Sequence, residues 1–210
     1  MIRKLAIPFL TIAAALSSAA WGTTFPGTGV GVIPDGGSAC GPTPGVALNV
    51  TFAVTGIVPP VNDIAVDVTL THPFLGDLVA LLIAPNGTSF VVFGRIGSTT
   101  ATGVGDSSDF GGTYVFSDTA TTNIWSAATA AGAAVAIPPG AYRTTMVGGA
   151  GQTNPAPFTD LDAAFASVVQ PNGTWTLRLT DGCAQDFGSV TAANLTISDV
   201  IFANGFDAPN

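Results

Sequence analysis

The chain has 210 residues, 26 of them Gly and 15 Pro, and only 9 % are charged. That composition, with few helical stretches, suits one large β domain better than two small ones. All 13 acids are Asp, set against 5 basic residues. An export segment over 1–22 would remove two of those bases and no acid, leaving three against 13 and a net charge of −10. Such a surface repels nucleic acid and anionic lipid, so neither is an expected partner.

In chain order, Arg3 and Lys4 precede an apolar run from Leu5 to Leu16 and then small residues, the pattern of a secretory signal cleaved after Ala20 or Gly22. The run falls well short of the ~20 residues a membrane span needs, and no later stretch replaces it. The expected organisation is a signal over 1–22, a linker over 23–31, a β domain over 32–197 and a tail over 198–210. Alternation predicts strands through Leu48, Val50, Phe52 and Val54, and through Ile64, Val66, Val68 and Leu70. His72 continues the parity of the second strand, so its ring is expected to face inward, against a backbone carbonyl or Asp77.

After the Gly76-Asp77 corner comes a wholly apolar strand, 78–84, expected to be buried on both faces. Asn86-Gly87 then predicts a hairpin turn with positive φ at both residues, followed by a strand over 90–93. Residues 97–112, 119–136 and 148–157 read as loops. A single helix is expected over 159–165, capped by Thr159 or Asp160. A second Pro-Asn-Gly, at Asn172 and Gly173, predicts another hairpin before the strand of Trp175, Leu177 and Leu179. Leu195 and Ile197 give the last core stripe. Antiparallel strands at this spacing imply a jelly-roll-like antiparallel β-sandwich, of the galactose-binding-domain type.

Cys40 and Cys183 are the only cysteines. An even count in an exported chain makes a disulfide the first expectation, and in the chain-entropy model so long a loop contributes at most about 5 kcal/mol. Two free thiols and a metal site are the alternatives, although a single histidine leaves little for structural zinc. That histidine also constrains catalysis. Any Ser-His-Asp triad would have to use His72, and the Gly87-Thr88-Ser89 echo of a subtilase nucleophile enters a strand where a helix is required. No catalytic residue is therefore expected.

The ordered elements resemble the P domain, or P/Homo B domain, of subtilisin-like proprotein convertases and bacterial secreted proteases. The strand ending in His72, the Gly76-Asp77-Leu78 corner, the hairpin at Asn86-Gly87, the strand from Gly173 to Asp181 and the closing Gly188 segment carry the resemblance, and Ile33-Pro34-Asp35 is similar to the opening of many members. The closing strand lacks the Trp common there in the family. The resemblance implies an accessory domain, non-catalytic by itself, that stabilises a subtilisin-like serine endopeptidase. No such catalytic domain stands beside it in this chain, so a separately encoded protease is the expected partner. It also implies calcium. Loop carboxylates suit that hard cation, and the candidates are Asp106 with Asp109 and Asp118, and Asp181 with Asp186. An extracellular module binding glycan or a cell surface is the alternative, with Trp125, Tyr114 and Tyr142 as stacking residues in or beside loops.

Overall fold

Nine residues of strict alternation, from Ile64 to His72, turn one face of the twelve-residue strand VNDIAVDVTLTH inward. The computed structural model describes residues 22–37 and 45–199. The expected signal before Gly22, Cys40 and the tail beyond Asp199 lie outside the described residues. The elements are β1 (Thr23–Thr28), β2 (Gly31–Ile33), β3 (Leu48–Val54), β4 (Val61–His72), β5 (Leu78–Ile83), β6 (Ser89–Gly94), β7 (Phe110–Ser117), α1 (Ile124–Ala131), β8 (Gly140–Tyr142), α2 (Leu161–Phe165), β9 (Gly173–Asp181) and β10 (Gly188–Asp199).

They form an all-β sandwich. The strand order is β6-β5-β9-β3-β1-β10-β4-β7-β8, with β2 also paired to β10. Pairing is antiparallel except between β7 and β8. One layer is β6-β5-β9-β3 and the other is β10-β4-β7-β8. β1 joins them, because Thr23 to Pro26 pair with β10 while Gly27 and Thr28 pair with β3. The expected linker over 23–31 is thus wrong: Phe25 is 7 % exposed and anchors a strand that closes one side of the sandwich. A six-residue stretch with one buried side chain has too weak a pattern to be read as a strand.

The core fills from both layers. Ile64, Val66 and Val68 of β4 and, from the other layer, Phe52, Trp175 and Leu177 are all fully buried in one cluster. β5 alternates instead of burying both faces: Leu78, Ala80 and Leu82 are buried, while Val79, Leu81 and Ile83 are half-buried. The Asn86-Gly87 hairpin forms with different geometry. Pro85 and Asn86 sit at the centre of the turn closed by Gly87 N–H on Ala84 O at 2.9 Å, and only Gly87 has positive φ, +86°. Proline at the first central position fixes a negative φ and so selects this longer loop over the two-residue form.

Pro171-Asn172-Gly173 is not a hairpin. It leads from α2 into β9, and Asn172 clamps a distant loop, accepting from Ile57 N–H at 2.9 Å and donating to Ile57 O at 2.8 Å. The helix α2 forms where expected, with Asp160 accepting from Ala163 N–H. The expected loop over 119–136 contains α1, capped by Asn123, whose side chain accepts from Trp125 N–H at 2.9 Å. An Ala/Thr-rich segment offers little polar contrast, so its helical period is hard to see before packing picks out Ile124, Trp125 and Ala128.

Candidate functional site

β4 delivers His72 to one end of the sandwich, where β5 begins and β9 ends. The pairing of Leu78 with Asp181 places the β9 carboxylate opposite this ring. His72 Nε2 lies 3.1 Å from Asp181 Oδ2, with both side chains fully buried. Nδ1 lies 2.9 Å from Phe74 O and 3.2 Å from the Phe74 nitrogen, so both ring nitrogens are committed. Asp181 Oδ1 accepts from Cys183 N–H at 2.9 Å. The inward ring and the carbonyl contact are as the sequence suggested, but the carboxylate is Asp181, 109 positions away, and not Asp77. Gly188 makes this approach possible, since a Cβ there would collide with Thr71 O and stand 2.8 Å from His72 Cδ2.

The corner at Leu75–Asp77 is one turn of 3-10 helix. Its backbone pins it: Leu75 N–H donates to Ser108 O and Gly76 N–H to Asp106 O, each at 2.9 Å. Gly76 is the point of closest approach, because a Cβ would stand 2.7 Å from Gly105 Cα and 2.8 Å from Asp106 N. The Asp77 carboxylate does none of this pinning. The residue is 4 % exposed and its Oδ1 has no hydrogen-bond partner. Burial, and next the Asp181 charge, push its pKa up to about 7.

A carboxyl raised in the folded state favours folding while protonated and loses that contribution as pH climbs from its unfolded value near 4 toward 7. Asp77→Asn is therefore expected to raise the melting temperature at pH 8 and to leave it nearly unchanged at pH 4. Thermal unfolding at both pH values checks this, and equal shifts at the two would refute the buried, raised carboxyl.

The five expected calcium ligands do not form one site. Asp106 Oδ1 accepts from Ser108 N–H at 2.9 Å and from its hydroxyl at 2.6 Å. Asp118 caps α2 through Leu161 N–H at 3.0 Å and Asp162 N–H at 2.8 Å, with Arg143 Nε 3.9 Å away. The whole of β7 separates Asp109 from Asp118, nine residues at about 3.3 Å each, or about 30 Å. Asp181 is spent on His72. Among the described residues no group of three or more His, Cys, Asp or Glu side chains gathers.

What the fold brings together is different. Thr71, His72, Pro73, Asp109, Phe110 and Phe187 line a recess of about 230 Å³ at this end. Asp109 Oδ1 has no partner, and its carboxyl is raised by burial first and by the Asp186 charge next. Thr71 and Phe187 carry no functional signal in the sequence and enter the site only through the pairing of β4 with β10.

The remaining candidates resolve plainly. Ser89 pairs with Ile83, at the opposite end of β5 from Leu78, about 17 Å from the His72 end by strand rise, and cannot form a couple with that ring. Trp125 and Tyr114 are fully buried and Tyr142 is 3 % exposed, which removes the sugar-stacking platform expected of them. Trp175 is core, its Nε1 donating to Pro171 O at 2.7 Å. Cys183 is 5 % exposed, and of the segments flanking 38–44 one bonds to it, Gly36 N–H donating to Cys183 O at 3.0 Å, and the other bonds two residues before it, Gly45 N–H donating to Asp181 O at 2.8 Å. Among the described residues no helix is long and apolar enough to cross a membrane.

No curated protein matches the chain. Residues 61–125, which run from the start of β4 through β5, β6 and β7 into α1, match the family model of the proprotein convertase P-domain. That span holds His72, Gly76, Asp77, Asn86 and Gly87, the first three elements on which the sequence resembles the family, and over these residues the chain is similar to a proprotein convertase P-domain.

Proposed function

We propose that this protein is an exported accessory domain, without catalysis of its own, that binds and stabilises a separately encoded subtilisin-like serine endopeptidase. P domains are associated with subtilisin-like proprotein convertases, and the match over 61–125 carries the reading. The chemistry of the histidine supports it. A general base needs a free nitrogen directed at a nucleophile, and His72 is sealed in the core with both nitrogens committed.

The purified domain is expected to cleave neither casein nor peptides with basic sites. Mixed with a subtilisin-like catalytic domain encoded in the same genome, it is expected to co-sediment and raise that domain's melting temperature. Hydrolysis abolished by His72→Ala in a still-folded protein would overturn the non-catalytic reading, and an unchanged melting curve with no co-sedimentation would overturn the association.

The proposal includes a Cys40–Cys183 disulfide. It is supported by the burial of Cys183 and by the backbone bonds that tie Gly36 to Cys183 and Gly45 to Asp181, on either side of 38–44. The unreduced protein is expected to show no titratable thiol in denaturant, and reduction to lower the melting temperature by several degrees. Two thiols in the unreduced chain would rule the bond out.

A further inference from the structure

We propose that the outer face of β5 and β6, with the segment 145–147 beside it, is the surface on which a partner protein docks through an apolar patch bordered by a carboxylate. On the accessory reading above, on which the partner's identity rests, that partner is the subtilisin-like catalytic domain.

The pattern of β5 points to a cover. A strand with one face on a core and one in water alternates, as β4 does by setting Asp67, Thr69 and Thr71 between its buried residues. β5 reads Leu-Val-Ala-Leu-Leu-Ile, the continuous apolar run of a strand covered on both faces, yet Val79, Leu81 and Ile83 turn outward and are only half-buried. β6 extends that face, because Leu81 pairs with Val91 and Ile83 with Ser89. It also ends the strand order, so no further strand lies beside it. Met146 and Val147, 47 % and 38 % exposed, run along this edge. Leu81, Phe90, Val91, Met146 and Val147 line a groove of about 310 Å³ there, the scale of one large apolar side chain.

Charge decides which partner fits. The chain has 13 Asp, yet β3, β5, β6 and β9 hold only Asp181, which is fully buried against His72. Asp160, next to the groove residue Thr159, is engaged by Ala163 N–H at the start of α2. One row across the layer reads Val91, Leu81, Arg178 and Asn49, from β6 through β5 and β9 to β3. Arg178 is exposed, reaches Asn49 Oδ1 at 3.4 Å and makes no ion pair among the described residues. It stands two strand spacings from Val91, or about 10 Å. An apolar face bordered by an unpaired guanidinium is complementary to an apolar surface bordered by a carboxylate. A second copy does not supply one. Two-fold pairing sets this face against itself, with Arg178 on both sides and no carboxylate to receive either.

The test is the dissociation constant between the full domain and the subtilisin-like catalytic domain encoded in the same genome, measured by analytical ultracentrifugation. Val91→Asp and Met146→Asp are each expected to weaken binding about tenfold or more, with circular dichroism and melting temperature near wild type. Met146, half-exposed in a loop, can change without opening the core. Arg178→Glu is expected to weaken binding by a similar factor and to reduce its salt dependence, and Arg178→Lys to keep most of the affinity. Val32→Asp, on β2 of the other layer and 64 % exposed, should leave it unchanged. Wild-type affinity in folded Val91→Asp and Met146→Asp would overturn this surface while the accessory reading stands. No binding by the wild-type domain would overturn both. A dimer of the domain alone that Met146→Asp dissociates would assign the face to a second copy and overturn it as well.

Discussion

Replacing Asp181 with alanine is expected to lower the unfolding free energy by about 3–5 kcal/mol, the cost of removing one member of a buried, hydrogen-bonded ionisable pair. The mechanism is local. The substitution leaves His72 Nε2 without its acceptor and Cys183 N–H without its own, in a place no water reaches. It also loosens the junction where β5, β9 and the start of β10 converge on the ring. Urea unfolding followed by tryptophan fluorescence measures the loss. Because the pair acts as a unit, His72→Ala with Asp181→Ala should cost clearly less than the two single changes added together. A loss below about 1 kcal/mol for Asp181→Ala would mean that the contact contributes no more than a solvent-exposed ion pair.

Trp175→Ala is expected to cost a further about 3–5 kcal/mol by opening a large cavity between the layers. Trp175 is fully buried, pairs across from Phe52, and its ring lies 5.0 Å from that of Phe165 on α2. Its indole N–H also satisfies Pro171 O, so the substitution orphans a carbonyl and frees the segment that delivers Asn172 to Ile57. Trp175→Phe separates these contributions. It keeps most of the ring and loses only the hydrogen bond, with an expected cost of about 1–2 kcal/mol. Equal losses for the two variants would show that the bond, and not the packing, carries the effect.

These two sites differ in how far local sequence reaches. Trp175 stands in a strand whose alternation, Trp175, Leu177 and Leu179 against Thr176, Arg178 and Thr180, reports burial directly. The alternation of β4 likewise determined that His72 points inward. Period-two patterning is a local consequence of one face meeting a core, so it survives in the one-dimensional string. The same locality explains Asp160 at the start of α2, where a cap and its helix are only a few residues apart.

By itself, the sequence thus determined the β class, the inward histidine, the Gly76-Asp77 corner, the place though not the geometry of the turn at Asn86-Gly87 and, through the order of these elements, the P-domain resemblance. Tertiary structure alone decided which carboxylate meets His72, because Asp77 and Asp181 are chemically equal candidates until β5 pairs with β9. It also decided that the expected linker is β1, that Trp125, Tyr114 and Tyr142 are core, and that Asp109 and Asp118 stand at opposite ends of β7. The physical reason is common to all of these. Burial and proximity between residues about a hundred positions apart arise from strand pairing and layer packing, which are collective properties of the closed sandwich and leave no trace in any one short stretch of sequence.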